Sequence, residues 1–557
     1  MIYTKHILAL VSFAVILAGC SKDEDKDKDK TGENTMLLFS MKNINNPLFE
    51  DITFRINEEE KTITGYLSRW IYSETPDRLV ASFTASQGAD VYVNNTLQVS
   101  GVTVNSFKDE LTYTVKHPEN GVPVDYKVRL ICAQISAALP IMRFDILVNS
   151  IPKKDANYAQ TKLEIIPNGV AGSIWTYDDS KVDIRLRGNS TQGLPKKPLR
   201  IKFPDKIKPL GTGEAVERNW ILLPNDADKT LLRNAVAFSI SETLLKKGDP
   251  FHNPKAVLFT AATQFVDVYL GDYYQGVYHL TDHIQRNPGR VDLQSPGPDD
   301  LSGGYLIELD GFAAGGYTSN GLIEAEFAWF RTPKGMDANL KYPDMEDEYT
   351  DKINVWQDLR FIHIVQHITL VERALFADNY TDKEEGWRKY FDESTLIDYI
   401  IINEFTGNPD AWWSTFMYKL RDSDSQKLFF GPVWDFDIAF DNDKRLGYAG
   451  EKLMLEYAHE PKTWIIRFMS DTELKKAIKE RWNSKKDELL KNALQSLDTN
   501  EKIIHRSRIA NFMEWNITQQ YLGHAKPAPA NYEAGYEQLK TYIERRHSYL
   551  DLMFNKW

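Results

Sequence analysis

The 557-residue chain is 42% hydrophobic and 26% charged, the balance of a soluble globular protein, and its length predicts two to four domains. A formal net charge of −12 with no Lys/Arg run excludes a general nucleic-acid binder. Two cysteines and eleven scattered histidines, with no His-Glu-x-x-His, exclude a zinc centre of the usual kinds, and no Gly-x-Ser-x-Gly elbow is present.

In chain order, Lys5 and His6 precede an apolar run from Ile7 to Leu17, and Leu17-Ala18-Gly19-Cys20 follows. The run is too short for a spanning helix and predicts a signal peptide over residues 1–19. Its ending resembles a bacterial lipobox, which implies cleavage before Cys20 and acylation of the Cys20 thiol. An ordinary signal peptide with an incidental Cys is the alternative. Residues 20–34 are charged and almost free of apolar side chains, so they predict a disordered tether. Acidic residues so close behind the Cys also resemble surface-export signals of Bacteroidetes-type lipoproteins; a plain solvated linker is the other reading. No later apolar run is long enough to span a bilayer. With Cys20 lipidated, Cys132 has no disulfide partner and reads as a thiol of a strand.

Residues 35–135 predict an all-β domain. Leu111 to Val115 and Tyr126 to Leu130 alternate apolar and polar side chains, and Asn94-Asn95 and Glu119-Asn120-Gly121 are hairpin-like turns. A small immunoglobulin-like sandwich acting as a spacer is expected. From 137 to about 310 the pattern is mixed. Strands are expected at Ile141–Val148, Thr161–Ile166, Val182–Arg187, Leu199–Phe203 and Tyr305–Leu309. A helix is expected at Thr230–Leu245, and a hairpin turns around Gly271-Asp272. The expected product is a twisted antiparallel sheet with one helix against it.

From about 350 to 555 helices dominate. Ser394–Phe405 is apolar on more than one face and predicts a buried helix, with Gly407 suited to its C-cap. Ser470-Asp471-Thr472-Glu473 predicts a capping box opening a helix to about Leu494, with further helices at Ile503–Tyr521 and Tyr532–Phe554.

Two polar loops carry isolated carboxylates: Asn408-Pro409-Asp410-Ala411-Trp412-Trp413-Ser414-Thr415 and Gly431-Pro432-Val433-Trp434-Asp435-Phe436-Asp437. A short apolar hairpin separates them. Phosphoryl transfer needs such a pair, one Asp to accept the proton of the attacking hydroxyl and another to hold magnesium on the nucleotide phosphates. Asp410 is the candidate base and Asp435 the candidate metal ligand. Asp437 reads equally as a second ligand or as a solvated neighbour. Gly188 and Gly193 bracket a loop of small polar residues that could cover phosphates. Lys202 is the favoured phosphate contact, with Arg187 and Lys197 beside it; solvated strand-face cations are the alternative.

Those loops resemble the corresponding segments of the CotH kinase family. So do Arg185 to Thr191, Lys196 to Phe203, Asn219 to Pro224, Asp228 to Asn234, Gly276-Val277-Tyr278 and Gly303 to Asp310, in the family's order over residues 137–555. The resemblance implies a two-lobed atypical protein-kinase-like fold. It also implies ATP with Mg2+ or Mn2+, Asp410 at the catalytic Asp position and a hydroxyl acceptor such as a protein Ser or Thr. It departs from the pattern at Thr415, where the family usually has a metal-binding Asn, so a non-catalytic surface binding protein remains the alternative. Asp282 stands where the family usually has Glu. With the lipobox, the expected location is the outer membrane of a Gram-negative bacterium.

Overall fold

The computed structural model describes residues 34–46, 51–67, 78–118, 121–132, 139–167, 177–189, 191–271, 273–294, 300–318, 321–458, 463–519 and 523–557. The predicted signal segment, Cys20 and nearly all of the tether fall outside these residues, as do Glu119, Asn120 and Asp272 of two predicted turns. Among the described residues no helix is long and apolar enough to cross a membrane. The chain divides into two compact units, one ending at Ile131 and one running from Cys132 to Trp557.

The first unit is all-β, with a three-stranded, a six-stranded and a two-stranded sheet. Leu111–Lys116 pairs antiparallel with both Asp90–Val93 and Val124–Cys132. The predicted alternation is what buries Tyr113, Val115, Tyr126 and Val128 on one face. Phe39 meets the edge of Tyr113 at 5.0 Å between centroids. Asn94 and Asn95 both adopt left-handed φ, 48° and 62°, as a tight two-residue hairpin requires.

In the second unit the expected twisted antiparallel sheet is a closed barrel with one parallel pairing. Its strands are β1 (Ile141–Phe144), β2 (Ala159–Ile166), β3 (Tyr177–Leu186), β4 (Leu199–Ile207), β5 (Glu217–Leu223), β6 (Thr263–Leu270) and β7 (Tyr273–Asp282). The order is β1-β2-β3-β4-β5-β7-β6, and a parallel pairing of β1 with β6 closes it. Alternate side chains fill the interior: Leu199, Ile201 and Phe203 of β4 pack with Trp220, Val266 and Leu280. The opposite side chains of β4, Arg200 and Lys202, therefore stand on the barrel's outer face.

Helix α1 (Arg233–Leu244) follows β5 and is buried along most of its length. A second, antiparallel sheet comprises β8 (Tyr305–Asp310), β9 (Trp329–Arg331), β10 (Asp337–Tyr342), β11 (Ser414–Lys419) and β12 (Leu428–Phe430), in the order β9-β10-β8-β11-β12. The longer helices of the unit are α2 (Leu359–Phe376), α3 (Glu393–Thr406), α4 (Thr472–Glu514) and α5 (Tyr532–Phe554), with shorter helices and a two-stranded sheet between them.

One expectation about the helices is corrected. The two helices predicted within residues 472–521 are a single helix of 43 residues, α4, capped by Asp471 rather than Ser470. Nothing in it breaks a helix, since it holds neither Gly nor Pro. At 1.5 Å per residue α4 is roughly 65 Å long, enough to bind the barrel to the helical part. Near its start Arg481 grips Asp398 of α3 through two 2.9 Å bonds. Near its end Asn511 accepts from the Val277 amide of β7 at 3.0 Å and from Lys196 at 2.9 Å.

Candidate functional site

The Asp410 loop is held by α3. Gly407 closes that helix in the left-handed conformation, and a Cβ there would meet the Tyr542 hydroxyl at 2.2 Å. Asn408 donates to Asn403 at 3.1 Å and accepts from the Asp410 amide at 3.1 Å, which fixes the loop to the helix. Behind it, fully buried Arg546 binds Glu404 of α3 at 2.9 Å. Asn408 and Thr415 are both spent on structure.

Thr415 is the clearest case. It is 2% exposed, and its hydroxyl donates to the Ala411 carbonyl at 2.7 Å. Strand alternation turns it to the core, while Ser414 faces the other way and donates to Glu308 at 2.8 Å. An Asn at 415 would bury an amide in the core rather than supply a ligand.

The second loop is fixed by α1. Asn234 accepts from the Phe436 amide at 2.9 Å, and Phe238 packs against Trp434 and Phe436 with centroids 6.1 and 6.0 Å away. Asp228 ties down the start of α1, accepting from the Thr230 amide at 2.9 Å and the Arg233 amide at 2.8 Å. Arg233 in turn donates to the Ala439 carbonyl at 3.2 Å. The roles of Asp228, Arg233 and Asn234 are thus to position the loop. Asp282 is likewise structural, paired with Arg290 at 2.7 Å. The glycine-bracketed loop between β3 and β4 is tied to the second carboxylate loop, because Leu194 packs with Ala227, Ile438 and Ala525. Gly188 has φ 80°, and a Cβ on it would meet the Thr191 hydroxyl at 2.2 Å.

These anchors bring Asp410, Asp435, Asp437 and Arg187 to one open cleft. Asp435 has a left-handed φ of 63° and is exposed; Asp437 is half-buried. Their carboxyls lie within hydrogen-bonding reach of each other. The enclosing walls and this mutual repulsion push Asp437 well above the usual carboxylate range, and Asp410 and Asp228 add to it. The walls also raise Asp435, against the pull of Arg187, and Glu308 raises it further. Asp410 keeps 48% of its side chain exposed, so it sits at the floor of an open recess rather than inside the core. The walls push its carboxyl up to about 6, with repulsion from Asp435 and Asp443 and a counter-pull from Arg445. Arg445 lies 3.6 Å from it.

The predicted cations do not all converge. Arg187 lies in the field of Asp435, Asp437 and Glu308, with its guanidinium 5.7 Å from the Trp434 ring. Arg200, not Lys202, is the β4 cation that Arg187 senses. Lys197 donates to the Gln192 carbonyl at 3.0 Å and braces the glycine loop.

Sequence reasoning missed Glu308 and Lys341, which pair at 3.0 Å on the cleft face of the second sheet. Glu308 and Asp310 alternate with apolar neighbours in β8, and that period was the available signal. Burial and Glu308 raise Asp310 to about 7. A separate cavity of about 520 Å³, lined in part by Lys229, Phe440 and Tyr542, lies outside this cleft, and Asp410, Asp435 and Asp437 do not line it.

Among the described residues, no group of three or more His, Cys, Asp or Glu side chains is arranged to hold a metal ion. A pair of carboxylates nevertheless suits magnesium, which keeps several waters and takes its remaining ligands from substrate phosphates.

A family model, the CotH kinase protein family, matches residues 184–550. The chain belongs to that family. The match takes in the barrel from the end of β3 onward, both carboxylate loops and most of α5. No curated protein matches the chain. Among solved structures, one named as a candidate glycoside hydrolase from Bacteroides thetaiotaomicron aligns at 14% identity with a TM-score of 0.16. It covers 35% of this chain and 53% of that one, so the chain spans about half of that structure, and nothing here rests on the likeness.

Proposed function

We propose that the second unit is a kinase-like, two-lobed domain that transfers the γ-phosphoryl group of ATP to a hydroxyl, such as a Ser or Thr of a protein acceptor. The observation that carries this is the meeting of Asp435 and Asp437 within hydrogen-bonding reach, beside Arg187 and in the field of Asp410. Two carboxylates that close demand a shared proton or a cation.

In this reading Asp410 accepts the proton of the acceptor hydroxyl. A carboxyl poised near 6 and open to the cleft is suited to that task at neutral pH. Arg445 keeps the carboxylate turned into the recess. Asp435 and Asp437 hold Mg2+ or Mn2+, which when bound offsets the charge of the nucleotide phosphates. Arg187 supplies fixed positive charge beside them.

Differential scanning fluorimetry with ATP and Mg2+ tests the reading. The expected result is a rise in unfolding temperature that needs both together, because only a ligand of the folded state stabilises it. No response to ATP and metal across the millimolar range would favour a non-catalytic surface binding protein built on the same scaffold. The burial of Thr415 at the family's Asn position supports that second reading.

We further propose that the first unit is an immunoglobulin-like spacer and that Cys20 carries a lipid anchor in the outer membrane of a Gram-negative bacterium. Cys20→Ala should then move the protein from the membrane to the soluble fraction of a cell lysate. Unchanged partitioning would rule out the anchor.

A further inference from the structure

The cavity of about 520 Å³ that lies apart from the carboxylate cleft has the volume of a small-molecule site. Residues 226–233, 440–448 and 525–545 enclose it. Its lining is held in place by contacts within the chain. Asn442 donates to the Asp437 carbonyl at 2.7 Å and to the Ala227 carbonyl at 2.9 Å, which fixes the wall shared with the second carboxylate loop. Gly535 lets α5 approach the opposite rim, since a Cβ on it would meet the Pro529 ring at 3.1 Å.

The lining holds three carboxylates, Asp226, Asp441 and Glu537. Apart from Arg233, which Asp228 neutralises, it holds three cations, Lys229, Lys526 and Arg545. Only part of this charge is matched. Lys526 binds Asp441 at 2.6 Å. Asp226 is 3% exposed in its side chain, and Lys229 stands 3.9 Å from it, outside hydrogen-bond reach. Among the described residues no hydrogen bond reaches the Asp226 carboxylate. Burial raises it above the usual carboxylate range, and Lys229 and Lys196 pull it back only in part. A carboxylate so enclosed is costly without a donor. The buried Tyr542 hydroxyl, on a side chain of the same lining, also has no hydrogen-bond partner. At the mouth, Glu537, Thr541 and Arg545 recur at every fourth position of α5 and share its exposed face. Neither Glu537 nor Arg545 forms an ion pair among the described residues.

A lone anion or a lone cation entering such a balanced lining meets as much repulsion as attraction. A molecule that carries both charges does not. We propose that this cavity binds a small zwitterion, an amino acid or a short peptide, with its ammonium against Asp226 and its carboxylate against Arg545. The ammonium supplies the donor that Asp226 lacks, and the guanidinium fork fits a carboxylate. Ala227, Ala525, Phe440 and Pro529 give an apolar side chain a surface to cover. The proposal goes beyond the ATP reading and does not rest on it.

Isothermal titration of the full chain tests this with four probes of one shape. L-leucine and glycyl-L-leucine carry both charges, leucinamide only the positive one and 4-methylpentanoate only the negative one. The two zwitterions should bind, and each single-charge probe should bind roughly tenfold or more weakly, because one charged contact is missing. Asp226→Asn keeps the shape and removes the charge, and it should weaken both zwitterions by roughly 10- to 100-fold. Arg545→Ala, on the exposed face of α5, should do the same, and it serves as the test if Asp226→Asn does not fold, as read by circular dichroism. No binding of either zwitterion up to about 10 mM would overturn the proposal. So would equal affinity for all four probes, which would mean that only the leucyl body is recognised. Zwitterion affinities unchanged in both variants would place any binding elsewhere and overturn it as well.

Discussion

Asp410→Ala should lower phosphoryl transfer by roughly 10²- to 10⁴-fold, the usual contribution of a general base. ATP affinity should hardly change, since in the proposed mechanism Asp410 addresses the acceptor hydroxyl rather than the nucleotide. The pH profile carries a second signature. Its walls and the repulsion from Asp435 raise the Asp410 carboxyl to about 6. A base works only when deprotonated, so activity should climb as pH rises through about 6 and level off above it. Arg445 lowers the Asp410 pKa, so Arg445→Ala should move that limb to higher pH. Single-turnover rates measured from pH 5 to 8 on the three proteins would show this. An Asp410→Ala variant of full activity would remove Asp410 from the chemistry.

What the sequence disclosed followed from local pattern. Period-two alternation located most strands, as with the buried Tyr113 and Val115 of the first unit and the Leu199, Ile201, Phe203 series of β4. The two carboxylate loops were legible because each is a polar break in apolar surroundings. Barrel closure was not, since β1 and β6 pair in parallel across more than a hundred residues and no local signal specifies that register. The continuity of α4 was missed because the polar stretch around Asp498-Thr499-Asn500 reads as a break, although it is only the exposed face of a helix that packs on α1. The family resemblance put Thr415 where a metal-binding Asn is usual. The pleat of β11 decides otherwise and gives the cleft to Ser414. Glu308 and Lys341 meet the cleft only through cross-strand register and tertiary packing, which is why one sequence does not reveal them.

Asp435→Ala should fail in a different way from Asp410→Ala. The enclosing walls raise both carboxyls; repulsion from Asp435 raises Asp437 further, while Glu308 raises Asp435 and a hydrogen bond with Asp437 lowers it. A divalent cation held by the two carboxylates would relieve that repulsion and would offset charge on the nucleotide phosphates. Without Asp435 one carboxylate remains, and Asp437 alone is too weak a site to order a metal on the phosphates. Metal-dependent ATP binding should therefore be lost along with turnover. Metal-independent binding through Arg187 should persist or strengthen, because Asp435 no longer competes for that guanidinium. Titrating ATP with and without Mg2+ separates the two contributions: the unaltered chain should gain affinity when Mg2+ is added and Asp435→Ala should not. Equal gains in both proteins would mean that Asp435 is an ordinary loop carboxylate and that the metal, if it binds, is held elsewhere.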